Sequence, residues 1–290
     1  ASITGSSAML AESLHSVADS INEILLLVGA RRAARPADIR HPFGHARYRY
    51  LYAFVVSLAV FWVGGVLSVL EGINHLFAGD KLIDPRWAFA VLAVSAVLEG
   101  WSLRTTVRAW RGTKGRLSWR QLLRDTKAPD LIVVFLEDVG AMIGVAIATV
   151  GLALATITGV ELWDAAASIA IGILLMAIGL VVNRETQSLL LGEAATADVV
   201  TAIHDAIATT AGIDGVRELR TIHLGPDDLV VAARVWVDPL RTATEVSRSI
   251  DEAERRVQAL APFRTVVAIE PRVRQGTGEV GGDQPSQDGR

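Results

Sequence analysis

Apolar residues run through this chain in five long blocks, at approximately 7–30, 48–77, 85–108, 130–156 and 162–183. Crossing a bilayer as a helix takes about 20 such residues, so each block is a candidate span. Four are nearly continuous, as in "LYAFVVSLAVFWVGGVLSVLEGI" and "DLIVVFLEDVGAMIGVAIATVGLALAT". The first, "SAMLAESLHSVADSINEILLLVGA", is the least hydrophobic, and hydropathy alone would miss it. On a helix, Glu12, Asp19 and Glu23 fall within roughly 20° of one line and His15 lies about 60° to one side. Asn22 sits beside His15, and the opposite face carries Leu10, Leu14, Val17, Ile21, Leu25 and Val28. This is a helix with one polar stripe, facing water, another chain, or an ion within a membrane.

After about residue 190 the period changes. Residues 196–211 read as a helix and 216–223 as a strand. "GPDD" marks a turn, followed by the alternating strand "LVVAARVWV". A helix at about 243–260 and a short strand "RTVVAIE" complete the order α-β-β-α-β. That order describes a small α+β domain of ferredoxin-like class, with its helices on one face. The expected organisation is a transmembrane domain over 1–189, an α+β domain over 190–273 and a Gly-rich, polar, disordered tail over 274–290.

About half of the 290 residues are hydrophobic and the net charge is −3, so no overall charge favours nucleic acid. With no cysteine there are no disulfides or thiolate sites, and a metal must be held by His, Asp, Glu or Asn. The stretches joining the first to the second block and the third to the fourth are strongly basic, "RRAARPADIRHPFGHARYR" and "RAWRGTKGRLSWRQLLRDTK". The other two connections are poor in Lys and Arg. The positive-inside rule puts the basic pair in the cytoplasm, together with the C-terminal domain, and the residue 1 end outside.

Ionisable groups in membrane helices are costly, so they face a bundle interior or an aqueous path. His15 and Asp19 are four residues apart and can reach one point, a spacing that suits a divalent ion held by imidazole and carboxylate. Glu137 and Asp138 lie mid-way along the fourth span, with no basic residue in that span to pair with. Two adjacent carboxylates there call for a cation or bound protons. Glu12 and Glu23 would line the approach, and Glu99 would pack between helices. His41 and His45, in a basic loop, would position the loop or bind an ion. No His-Glu-x-x-His run is present, which argues against an intramembrane metalloprotease.

These residues together resemble the cation diffusion facilitator family of divalent-metal transporters. "ITGSSAMLAESLHSVADSIN" is similar to the start of the family's second helix, with its His-x-x-x-Asp pair. "RHPFGHARYRY" resembles the loop leading into the third helix, "WDAAASIAIGILL" the sixth, and "LRTIHLGPDDLVVAARVWVD" the hairpin of the family's cytoplasmic domain. The resemblance spans nearly everything from residue 1 to about 272. It implies six membrane helices, of which five are visible here and the first is missing.

The family's zinc members usually repeat His-x-x-x-Asp in the fifth helix. If Asp138 is that Asp, the His position is Val134, which cannot ligate, and Glu137 precedes Asp138 instead, as in an atypical branch. The implied metal ligands are therefore His15, Asp19 and Asp138, with Glu137 added from the residue pattern. The implied activity is not enzymatic. It is proton-coupled antiport of a divalent metal, zinc first and manganese, iron or cobalt as alternatives, by an alternating-access homodimer in the lipid bilayer. A non-transporting membrane sensor or scaffold with the same fold is the alternative that Val134 favours. In the C-terminal domain, His204, His223 and Glu270 are candidates for a regulatory metal without a specific spacing.

Overall fold

A computed structural model of the chain describes residues 7–78, 85–113, 127–260 and 264–274, with side chains in the first helix described from Ser16 onward. The expected disordered tail and part of the second basic connection lie outside the described residues. The chain divides into two compact units, residues 1–193 with 223–226, and residues 194–222 with 227–290.

The first unit is helical. It comprises α1 (Ser7–Ala33), α2 (Tyr48–Ala59), a π-helical segment (Val60–Val66), α3 (Leu67–Ala78), α4 (Pro85–Thr113), α5 (Pro129–Thr158) and α6 (Leu162–Leu191). Among the described residues four stretches are long and apolar enough to cross a membrane: Tyr48–Phe77, Arg86–Arg108, Pro129–Thr158 and Leu162–Leu191. At 27 residues α1 also has the length, about 40 Å at 1.5 Å per residue, but its polar stripe lowers its apolarity. The expected fifth block ends at 183, whereas α6 continues to Leu191.

The block at 48–77 reads as one helix, yet Val60–Val66 winds as a π-helix. Gly64 and Gly65 have weak helical preference, which allows the local rewinding. The same glycines let α6 come very close. A Cβ on Gly65 would meet Met176 Cγ at 2.5 Å, and one on Gly172 would meet the Gly65 carbonyl oxygen at 2.7 Å. Ser168 Oγ donates to the Ser68 backbone oxygen at 3.0 Å in this seam. Small residues with interhelical hydrogen bonds are how helices associate where lipid removes the hydrophobic drive. Two side-chain contacts join helix ends: the half-buried Arg49 Nη2 donates to Asp130 Oδ2 at 2.5 Å, and the buried His75 Nε2 lies 3.8 Å from Asp164 Oδ2. Gly159, in the left-handed region at φ 68°, ends α5 and donates its N–H to Ala155.

The second unit contains α7 (Ala197–Ala208), β1 (Gly215–Gly225), β2 (Asp228–Val237), α8 (Ala243–Leu260) and β3 (Arg264–Val273). The sheet order is β1-β2-β3. β2 pairs with β3 in parallel, Leu229 opposite Thr265 and Val237 opposite Val273. Parallel neighbours need a crossover, which α8 supplies. Alternation along β2 buries Leu229, Val231, Ala233, Val235 and Val237 against Ile203 and Ile207 of α7 and Ala253 and Val257 of α8. The "TATE" sequence before α8 forms a capping box: the Thr242 N–H donates to Glu245 Oε2 at 2.8 Å, and the Glu245 N–H to Thr242 Oγ1 at 3.3 Å.

Candidate metal centre

The centre lies where α5 is flanked by α1 and α4. Consecutive helix positions point about 100° apart, so Glu137 and Asp138 address different neighbours. Both are buried, at 6% and 7% exposure. Glu137 faces α1, where its Oε1 accepts a hydrogen bond from Asn22 Nδ2 at 2.7 Å. Asp138 faces α4, where Ser102 Oγ donates to Oδ1 at 2.8 Å and Thr106 Oγ1 to Oδ2 at 2.7 Å. Ser102 and Thr106 are four residues apart, so their hydroxyls share one face of α4. They grip both oxygens of one carboxylate.

Asp19 completes the α1 side. Its Oδ1 is sealed from solvent, and its charge acts on Glu137 together with those of Asp138 and Glu23. Glu99, half-buried on α4, feels Asp138 and Glu23. Five carboxylates thus share one electrostatic neighbourhood. α5 has no Lys or Arg, and α1 has none before Arg31. Such an arrangement persists only if protons or cations neutralise part of the charge. His15 lies on α1 one turn before Asp19, and its side chain is outside the described residues, as is that of Glu12. Val134, one turn before Asp138, is partly buried.

Glu137 and Asp138 therefore enter the centre differently. Asp138 is oriented by two hydroxyls, and each of its oxygens keeps a further acceptor site for an ion. Glu137 is held by one amide, with Oε2 outside that bond. Ser102 and Thr106 are not among the residues expected from the sequence, although an i, i+4 hydroxyl pair following Glu99 is the signal that marks them, and Asn22 carries no expected role there.

A second cluster forms in the connection between α1 and α2. Asp38, His41 and His45 each offer one ligand atom, all within 4.8 Å of one another. Two imidazoles and a carboxylate form a donor set that suits zinc. Asp38 also shapes the loop: its Oδ1 accepts the backbone N–H groups of His41 at 2.6 Å and Arg40 at 2.8 Å. These bonds, the His41 N–H foremost, hold its carboxyl below the usual range. Both expected roles of His41 and His45, positioning and ion binding, are compatible with this geometry. The missed partner was Asp38, three residues before His41.

Among the described residues no other three-donor group occurs, so neither His204, His223 and Glu270 nor Asp19, Glu137 and Asp138 are gathered within ligand distance of one another. His204 contacts Asp205 at 3.2 Å, the buried His223 ring lies 3.3 Å from the Gly225 oxygen, and Glu270 is taken by Arg234 at 2.9 Å.

Apolar helices around an acidic interior define a multi-pass membrane protein with an interior fit for cations. Residues 1–191 match the cation efflux transmembrane domain, and the chain belongs to the cation efflux family, the cation diffusion facilitators. It is 33% identical over 270 residues to the mitochondrial proton-coupled zinc antiporter of Homo sapiens, covering 92% of this chain and 47% of that protein. The Xenopus laevis counterpart is 33% identical over 230 residues, covering 74% of this chain and 41% of the relative. The chain thus spans under half the length of these curated relatives. A solved C-terminal domain of the magnetosome protein MamB from Desulfamplus magnetovallimortis is 22% identical, covers 29% of this chain and 99% of its own, and has a TM-score of 0.26.

Proposed function

We propose that this protein exports a divalent metal cation, zinc first among the candidates, by exchange with protons at the α1–α4–α5 junction. The observation that carries the reading is the buried pair Glu137–Asp138 set between α1 and α4 in a bundle whose outer surface is apolar. In this reading His15, Asp19, Glu137 and Asp138 bind the ion, and Ser102 and Thr106 orient Asp138. A ligand must shed its proton to take a metal, so the two compete for the same atoms, which is the chemical basis of exchange. α1 is read as a fifth span and the C-terminal unit as a cytoplasmic module holding two copies together.

The test is zinc flux in proteoliposomes under a proton gradient. Asp19→Ala and Asp138→Asn should each lower flux by 100-fold or more while leaving the protein folded. Near-normal flux in either removes that residue from the site. Glu137→Gln keeps the shape and the Asn22 bond, so it should weaken the pH dependence more than the metal preference. Should Asp138→Asn bind zinc normally while Glu137→Gln does not, the site is centred on Glu137. Val134→His should add a nitrogen donor and tighten zinc relative to manganese.

A further inference from the structure

We infer that Asn22 is an ion-contacting residue of this site: its amide nitrogen holds Glu137 in place while its carbonyl oxygen is a neutral donor to the cation. The inference rests on reading the α1–α4–α5 junction as the ion site.

Asn22 is fully buried, with 0% of its surface exposed. Its Nδ2 donates to Glu137 Oε1 at 2.7 Å. Ionised, as a metal ligand must be, Glu137 only accepts, so the nitrogen end of the amide faces it. Oδ1 belongs to the same planar group, so it too lies at the α1–α5 interface. It is out of reach of solvent and has no hydrogen-bond partner among the described residues. A buried oxygen of this kind has given up water and received nothing in exchange, an arrangement native structures keep rare. A bound cation supplies what is missing. Amide carbonyl oxygens are ordinary ligands of divalent ions, as in calcium sites.

The position on α1 supports the same role. Asn22 follows Asp19 by three residues and His15 by seven, the spacing that keeps positions on one helix face. It also answers the departure at Val134. Where a second imidazole is missing from α5, α1 provides another donor, and that donor is oxygen. With Asp19, Glu137, Asp138 and Asn22 as oxygen donors and His15 as the one nitrogen donor, the set is oxygen-rich. Oxygen ligands suit manganese, whereas imidazole favours zinc. Asn22 is thus the residue that keeps the site open to a harder ion and sets how sharply the two are distinguished.

The experiment is calorimetric binding of Zn²⁺ and Mn²⁺ to the purified chain in detergent, comparing Asn22→Leu, Asn22→His and Asp19→Ala with the unaltered protein. Asn22→Leu should weaken manganese by roughly tenfold or more and zinc by less, so that the zinc-to-manganese affinity ratio rises. Asn22→His should retain zinc and raise the ratio further. An unchanged ratio in Asn22→Leu, whatever the affinities, overturns the ligand role, because loss of Glu137 positioning alone weakens both ions together. If Asn22→Leu does not fold, Asn22→His decides, and a ratio equal to the unaltered protein's overturns the inference. Loss of binding in Asp19→Ala with fixed ratios in the Asn22 variants sinks the Asn22 role alone. Full binding of both ions by Asp19→Ala sinks the underlying site along with it.

Discussion

On α4 of the helical unit Val97 is 71% exposed, while Asp164 on α6 is completely buried. In the C-terminal unit the order is reversed: Val231 is completely buried and Arg234, three residues further along β2, is on the surface. The contrast extends through both units. Ile24, Val94, Trp101 and Ile173 face outward from the helices, and Asn22, Ser57, Ser68 and Ser168 face inward with no exposure. The C-terminal core is aliphatic from α7 to α8. Each unit follows the physics of its own surroundings. In water, burial of apolar surface drives folding at roughly 25 cal/mol per Å². In lipid that drive between helices is gone, and glycine seams, hydroxyl bonds and paired charges take over. A carboxylate in the interior is therefore ruinous in one unit and part of the design in the other.

The sharpest way to break this contrast is to exchange interiors. Val231→Asp places an unpaired carboxylate in the C-terminal core. The penalty of several kcal/mol per buried ion is comparable to the 5–15 kcal/mol that holds a domain together. The variant should lose the cooperative melt of the C-terminal unit, read by circular dichroism. Glu137→Gln, which removes a buried charge from the helical unit, should leave helix content and melting of that unit unchanged. A stable Val231→Asp, or a collapsed Glu137→Gln, would show that the two interiors obey one rule.

The exteriors give the next largest effect. Val97→Lys sets a cation near the middle of the Arg86–Arg108 stretch, where insertion of a lysine costs about 2.5–3.5 kcal/mol. Leu240→Lys makes the same change at an 89% exposed site of the C-terminal unit and should shift stability by no more than about 0.5 kcal/mol. Membrane-inserted yield of each variant, compared in one expression host, measures the difference. Equal yields would mean that Val97 does not face lipid.

What could be read from residues alone follows the same division. Spans two to five were legible because apolar length is a property of each helix by itself. The alternation in "LVVAARVWV" was legible for that reason too. The π segment was not, since Gly64 and Gly65 permit a rewinding that the apolar run itself does not show. The diverging partners of Glu137 and Asp138 were not either. Their spacing on α5 says only that they point about 100° apart. Which one meets Asn22 and which meets Ser102 and Thr106 depends on how α5 is turned between α1 and α4. Asp38 escaped notice because its bonds to His41 and His45 depend on the folded loop, whereas the two histidines stood out by type.

The smallest effect concerns charge on the water-facing sheet. Arg234 on β2 donates Nε to Glu270 on β3 at 2.9 Å and Nη1 to Glu218 on β1 at 2.9 Å, so one guanidinium spans all three strands. The hydrogen bond from Arg234, with the charges of Arg272 and Arg234 adding to it, holds the Glu270 carboxyl below its ordinary value. A carboxyl depressed in the folded state stabilises the fold fully above its unfolded pKa, about 4.3 for glutamate, and the gain is lost as pH falls through the lower folded value. The groups are solvent-exposed, so the gain is small and salt weakens it. Arg234→Gln should therefore lower the melting temperature of the C-terminal unit slightly at neutral pH and leave it nearly unchanged once Glu270 is protonated. The gap between variant and parent should close as the medium is taken below about pH 4, and shrink in high salt. A gap that persists undiminished in acid would assign the role of Arg234 to the packing of its long side chain across the strands.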